Sequence, residues 1–84
     1  MKSAAEEIQA LVGRQLGLRK VRLDDYLVED LDAVSADIVN IVAALEDLFE
    51  VVIEEEALAD IRKVEDLCRM VSDRVDAQSS GAAG

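Results

Sequence analysis

The 84-residue chain has no histidine, proline or tryptophan, a single cysteine, and only two aromatic residues, Tyr26 and Phe49. Without histidine a Ser-His-Asp nucleophile is excluded, and no Gly-x-Ser-x-Gly elbow surrounds any serine. One cysteine, Cys68, allows no internal disulfide and, with no histidine, offers no structural zinc set. The scarcity of proline and aromatics argues against an all-β sandwich or barrel, whose turns and strands draw on both. No apolar run is long enough to span a bilayer and no secretory signal opens the chain, so a reduced, cytoplasmic setting without membrane insertion is expected.

Base is absent from the middle of the chain. Between Leu23 and Ile61 there are thirteen acids (Asp24, Asp25, Glu29, Asp30, Asp32, Asp37, Glu46, Asp47, Glu50, Glu54, Glu55, Glu56 and Asp60) and no Lys or Arg, within an overall charge of −10. That balance works against nucleic acid and anionic lipid headgroups as partners. A solvated face would explain any one of these acids, but interspersed charges would be as soluble with less self-repulsion. A one-sign window of this length therefore points to steering of a basic protein partner.

At this size folding buries only about 60 to 65% of the unfolded surface, so one compact domain is expected. Ala4, Ile8, Leu11, Val12 and Leu16 fall at helical spacing, with Gly17 just beyond, and predict a first helix. Residues 18–34 show no sustained period. Leu23, Leu27 and Leu31 recur every four residues there and should pin a long functional loop to the core. Ile38, Ile41, Val42, Leu45, Leu48 and Phe49 form the stripe of a second helix that is acidic outside. Val51-Val52-Ile53 has no partner strand and reads as the turn out of it. A short helix over 54–60 and a last helix carrying Val64, Leu67, Cys68, Val71 and Val75 follow. The fold class is all-α: three main helices and one short one in a domain over residues 1–77, with residues 78–84 a frayed, disordered tail.

Chemistry concentrates at Ser35. A serine before an apolar helix is first of all an N-cap, worth about 1 kcal/mol over alanine. The same helix end, with its free N–H groups and positive dipole, also favours a phosphate carried on the hydroxyl. Asp30 and Asp32 have calcium-loop spacing, but Val34, Ser35 and Ile41 stand where a further ligand, a glycine and a glutamate are required, so the EF-hand reading fails. Cys68, on the stripe of the last helix, reads as a buried inert thiol.

The run Val28-Glu29-Asp30-Leu31-Asp32-Ala33-Val34-Ser35-Ala36-Asp37-Ile38-Val39, followed by Ala44-Leu45-Glu46-Asp47-Leu48-Phe49 and by Ile53 with acids after it, resembles the acyl carrier protein family around its modified serine. The likeness covers roughly residues 4–77. It implies a small acyl-carrier bundle, not an enzyme, with 4'-phosphopantetheine transferred from coenzyme A to Ser35 by a phosphopantetheinyl transferase. Thioester intermediates on that arm would serve fatty-acid, lipid or polyketide-type biosynthesis. The resemblance further implies that Asp37, Asp47, Glu50, Glu54 and Glu55 dock basic patches of acyl-transferring or condensing enzymes, with the carrier a monomer. Family members typically have Asp-Ser-Leu where this chain has Val34-Ser35-Ala36. Two alternatives therefore stay open: an unmodified acidic interaction module on the same bundle, and a carrier of aminoacyl or peptidyl cargo.

Overall fold

The computed structural model describes residues 3–83, with side chains described as far as residue 78. They form α1 (Ala4–Leu16), α2 (Ser35–Phe49), a 3₁₀ helix (Glu55–Asp60) and α3 (Val64–Ala83), with no strand among the described residues. Val51-Val52-Ile53 is a non-helical passage in which Val51 and Ile53 are buried and Val52 exposed. The last helix runs through the small polar segment expected to fray, so the disordered-tail expectation is corrected as far as Ala83. Alanine and serine are tolerated in a helix once an upstream turn is already formed. Gly84 lies outside the described residues.

Each α-helix begins in the same way, with an acid at its third position reaching back to the N–H of the capping residue. In α1 the exchange is reciprocal: Ser3 Oγ accepts from the Glu6 N–H at 3.2 Å and Glu6 Oε1 accepts from the Ser3 N–H at 3.0 Å. The sequence carries this signal as Ser-x-x-Glu, a capping box missed in reading it. In α2 Asp37 Oδ2 accepts from the Val34 N–H at 3.1 Å. In α3 Asp66 Oδ2 accepts from both the Lys63 N–H at 2.9 Å and the Arg62 N–H at 3.0 Å.

The core is aliphatic: Ile8, Leu11 and Val12 from α1 meet Ile41, Val42 and Leu45 from α2 and Val64, Leu67 and Val71 from α3. α1 packs on both other α-helices more fully than they pack on each other. Its start, at Ala4 and Ala5, faces Phe49 at the end of α2 and Val71 and Val75 of α3, so it runs antiparallel to both. α2 and α3 therefore begin at one pole, which the long loop covers.

That loop opens with a tight reversal. Gly17 takes the left-handed conformation (φ 70°), and a Cβ on buried Gly13 would come within 2.8 Å of the Leu18 carbonyl oxygen, so the chain can double back only over glycine. The rest is tied down by backbone bonds: Leu27 N–H to the Arg62 carbonyl (2.9 Å), Val64 N–H to the Asp25 carbonyl (3.0 Å) and Glu65 N–H to the Leu23 carbonyl (2.9 Å). Lys63 Nζ lies 4.9 Å over the Tyr26 ring, and the two residues form an isolated antiparallel bridge. Leu27 is buried as expected and Leu31 is half-buried, but Leu23 is exposed. Val21 and Ala33 fill the core in its place, because this backbone is held by its bonds to the α3 entrance and not by a helical period.

Asp66 is the acid on which the start of α3 and the loop anchored to it both depend. The Lys63 N–H above all, then the Arg62 N–H and the Arg69 guanidinium, hold its carboxyl below the usual carboxylate range against the opposing effect of burial. A carboxyl depressed in the folded state adds stability above its unfolded pKa, and that stability disappears as pH falls through the folded value. Asp66→Asn is therefore expected to cost about 1–2 kcal/mol at pH 7 and to become nearly neutral in acid, once the pH has fallen through the lowered folded-state value. Urea denaturation of both proteins across that range measures the difference; an equal loss at both ends of the pH scale would show that the charge is not what matters.

Candidate functional site

The site sits at the covered pole, where α2 starts. Val34 is extended (φ −101°, ψ 171°) and occupies the N-cap, and Ile38 N–H donates to its carbonyl at 3.1 Å. Ser35 is therefore the first helical residue, which corrects the expectation that it caps the helix. Asp37 sets this register: it reaches the Val34 N–H, whereas a cap at Ser35 would put Ile38, which has no acceptor, at the reciprocal position. Valine has no acceptor either, so among the described residues no side chain accepts from the N–H groups of the first turn of α2. The Ser35 side chain is exposed, and among the described residues its hydroxyl has no partner.

The surroundings of Ser35 are apolar. A shallow cavity of about 280 Å³ is bordered by Ser35, Ile38 and Val39 on α2 and by Leu58 and Ala59 on the 3₁₀ helix. It adjoins a second, of about 290 Å³, that shares Val39 and Leu58 and runs on to Val42, Ala43 and Ile53, with Glu46 and Glu55 at its edge. Val34 and Val39 flank the serine at 61% and 53% exposure, unusual for valine and leaving an apolar rim. Val39, Leu58 and Ala59 were not singled out from the sequence. Leu58 is the one large apolar residue in an acidic stretch, and that isolation was the available signal.

The five acids expected to dock partners divide. Asp47 on α2, Glu50 at its end and Glu55 at the start of the 3₁₀ helix are exposed and make no ion pair among the described residues. Asp37 is half-buried and engaged at the cap. Glu54 is exposed but already paired, its Oε2 accepting from Arg74 Nη2 at 2.5 Å. Its own backbone N–H, followed by that guanidinium, lowers its pKa. Glu46 is half-buried and accepts the Ile53 N–H at 2.8 Å, closing the exit from α2. Cys68 is half-buried far from Ser35, and burial, with the nearby Glu65 charge, raises its thiol pKa, which suits an unreactive thiol.

The start of α2 thus presents a free serine hydroxyl beside an apolar groove, and the comparisons say which family has this fold. The phosphopantetheine attachment site family matches residues 6–71. The chain is 41% identical over 69 residues to the acyl carrier protein of Phaeodactylum tricornutum, spanning 80% of this chain and 91% of that one. It is 30% identical over 74 residues to the acyl carrier protein of Chlamydia trachomatis serovar D, spanning 86% and 96%. Among solved structures, the acyl carrier protein of Thermotoga maritima superposes with a TM-score of 0.74 at 28% identity, covering 86% of each chain. The chain belongs to the acyl carrier protein family, whose members carry covalently attached 4'-phosphopantetheine and are carriers, not catalysts. The residues at the start of α2 fit that group: a free hydroxyl for the ester, and unpaired N–H donors beside it for the phosphate.

Glu50 shows where the fold and the surface charge part. It holds the left-handed position at the end of α2 (φ 54°), its N–H donating to the Glu46 carbonyl, a place that glycine fills without steric cost. Glu50→Gly is expected to raise stability by about 0.5–1 kcal/mol, read as a higher urea midpoint at unchanged slope. A lower midpoint would mean the carboxylate itself holds the turn.

Proposed function

We propose that the chain carries acyl thioesters on a phosphopantetheine arm attached to Ser35 and presents them to separate biosynthetic enzymes of the fatty-acid, lipid or polyketide type. The observation that supports this most directly is the exposed Ser35 hydroxyl, without a partner among the described residues, on a first turn whose N–H groups no described side chain satisfies. When attached, the arm supplies a terminal thiol that holds the cargo as a thioester. Ser35 contributes the oxygen: it attacks the coenzyme A phosphorus nearest the pantetheine, and the adenosine bisphosphate leaves. The hydroxyl proton must pass to a base on the transferase, because among the described residues no carboxylate accepts from Ser35 and the sequence has no histidine. The unpaired N–H groups then face the new phosphodiester, favouring its negative charge by the helix dipole as well.

Docking falls to the acids the fold leaves in solvent. Asp47, Glu50 and Glu55 present fixed negative charge along α2 and onto the 3₁₀ helix, which suits Arg and Lys patches on a transferase or a condensing enzyme. The apolar rim of Val34 and Val39 sits where a partner must approach the serine, so a complementary apolar mouth is expected on such enzymes. The carrier works as a monomer in a reduced cytosolic compartment.

Two experiments test this reading. Wild type and Ser35→Ala are incubated with coenzyme A, magnesium and a phosphopantetheinyl transferase, and intact mass is measured. The wild type alone is expected to gain one phosphopantetheine. Because Ser35 caps nothing, the variant should unfold within about 0.5 kcal/mol of wild type, so its failure to load reports the hydroxyl. A folded wild type that gains no mass, including with a transferase from the source organism, would leave an unmodified interaction module. Second, replacing Asp47, Glu50 and Glu55 together by Lys should slow association with the transferase at least about tenfold at low salt and weaken its salt dependence. Unchanged association kinetics would remove the steering role.

A further inference from the structure

The 3₁₀ helix is the least embedded element of the fold. None of its residues is buried, although Ala57 and Leu58 are partly covered. One face borders the two cavities along α2 already described, and the other borders a third, of about 250 Å³, between Ala57 and Asp60 on one side and Met70, Asp73 and Arg74 of α3 on the other. It is thus flanked by open space on both faces, with buried Ile53 and Ile61 as the fixed points at its ends. Sparse apolar contact and solvent on both sides mark a segment that opens at low free energy.

One polar contact ties this segment to the bundle from the side. Arg74 Nη2 donates to Glu54 Oε2 at 2.5 Å, linking the residue that caps the 3₁₀ helix to α3 twenty positions away. Arg74 is drawn in for it. Its side chain is only 29% exposed, and its Nε is shielded from solvent with no acceptor among the described residues. A guanidinium held with a donor unsatisfied gains from release into water, so the carboxylate of Glu54 is what keeps it in place.

We propose that the Glu54–Arg74 ion pair is a latch that holds the 3₁₀ helix closed over the apolar groove leading from Ser35, and that releasing it widens that groove. Its use in admitting cargo rests on the loading of Ser35 proposed above. The opening itself belongs to the unmodified protein and is measured there. A basic enzyme surface approaching the exposed acids would compete with Arg74 for Glu54, so docking and opening would be coupled.

Amide hydrogen exchange of the unmodified protein followed by NMR tests the latch. The Ala57 and Ile61 N–H groups donate to the Glu54 and Leu58 carbonyls within the segment, whereas Leu45 is a fully buried residue in the middle of α2. Arg74→Gln and Glu54→Gln are each expected to speed exchange at Ala57 and Ile61 about fivefold while leaving Leu45 unchanged. The charge swap, Glu54→Arg with Arg74→Glu, should restore most of the protection. Unchanged exchange at Ala57 and Ile61, equal acceleration at Leu45, or failure of the swap overturns the latch. In a second arm, octanoyl cargo on the loaded protein should shift the Val39 and Val42 methyl resonances more in Arg74→Gln than in wild type. Equal shifts would overturn the control of the groove, and failure to load would count against the Ser35 reading without touching the exchange result.

Discussion

The contact on which this small fold turns is a carboxylate reaching back to a backbone N–H. A chain of this length cannot bury enough apolar surface to tolerate loose helix ends, so each unsatisfied donor near the core matters. Glu6, Asp37 and Asp66 close the starts of α1, α2 and α3, and Asp25, Asp30 and Glu46 accept from the N–H groups of Arg22, Tyr26 and Ile53 in the connections. Through Asp66 the interaction governs more than its own helix. The residues whose N–H groups it accepts, Arg62 and Lys63, also anchor the long loop, by the Arg62 carbonyl to Leu27 and by the Tyr26 bridge. The pole that presents Ser35 is assembled around that carboxylate.

Seen this way, the acidity of the chain has two sources that composition alone merges. Some acids replace the serine and asparagine caps that other proteins use, and these are half-buried or turned onto the backbone. Others, Asp47, Glu50 and Glu55, satisfy no donor among the described residues and stay in solvent. Glu50 even occupies a left-handed position that disfavours it. Both groups add to the negative field around the molecule, but among the described residues only the second group has no duty in closing a helix or turn.

Much of this was legible before any coordinates. Period alone located α1 and α2, because Ile8, Leu11 and Val12 and then Ile41, Val42 and Leu45 repeat at helical spacing and are buried as that spacing requires. The loop was legible only as an absence of period. Leu23 was misread because its spacing from Leu27 and Leu31 mimics a helix, while the backbone there follows bonds to Arg62, Val64 and Glu65 that are more than thirty residues away in sequence. Ser35 was placed one position too early in the helix for a related reason: serine is the better cap by preference, but the cap was decided by which residue Asp37 could reach. The Glu54–Arg74 pair was not legible because the two residues are remote in sequence. Local chemistry was readable from the residues; pairings across the bundle were not.

The displacement of Ser35 from the cap has a consequence for how a carrier can be built. A serine that caps its helix must give up that hydrogen bond, or share its oxygen with the backbone, when the hydroxyl is esterified. Here Val34 holds the cap position and Asp37 closes it from inside the helix, so the hydroxyl is free of structural duty and the first-turn N–H groups remain open beside it. Modification then removes no contact from the fold and adds an anion where the helix favours one. The valine, which departs from the pattern of the family, is thus compatible with attachment on physical grounds. What it changes is the surface beside the serine, an apolar rim in place of a charge, while the start of the helix is still closed by Asp37.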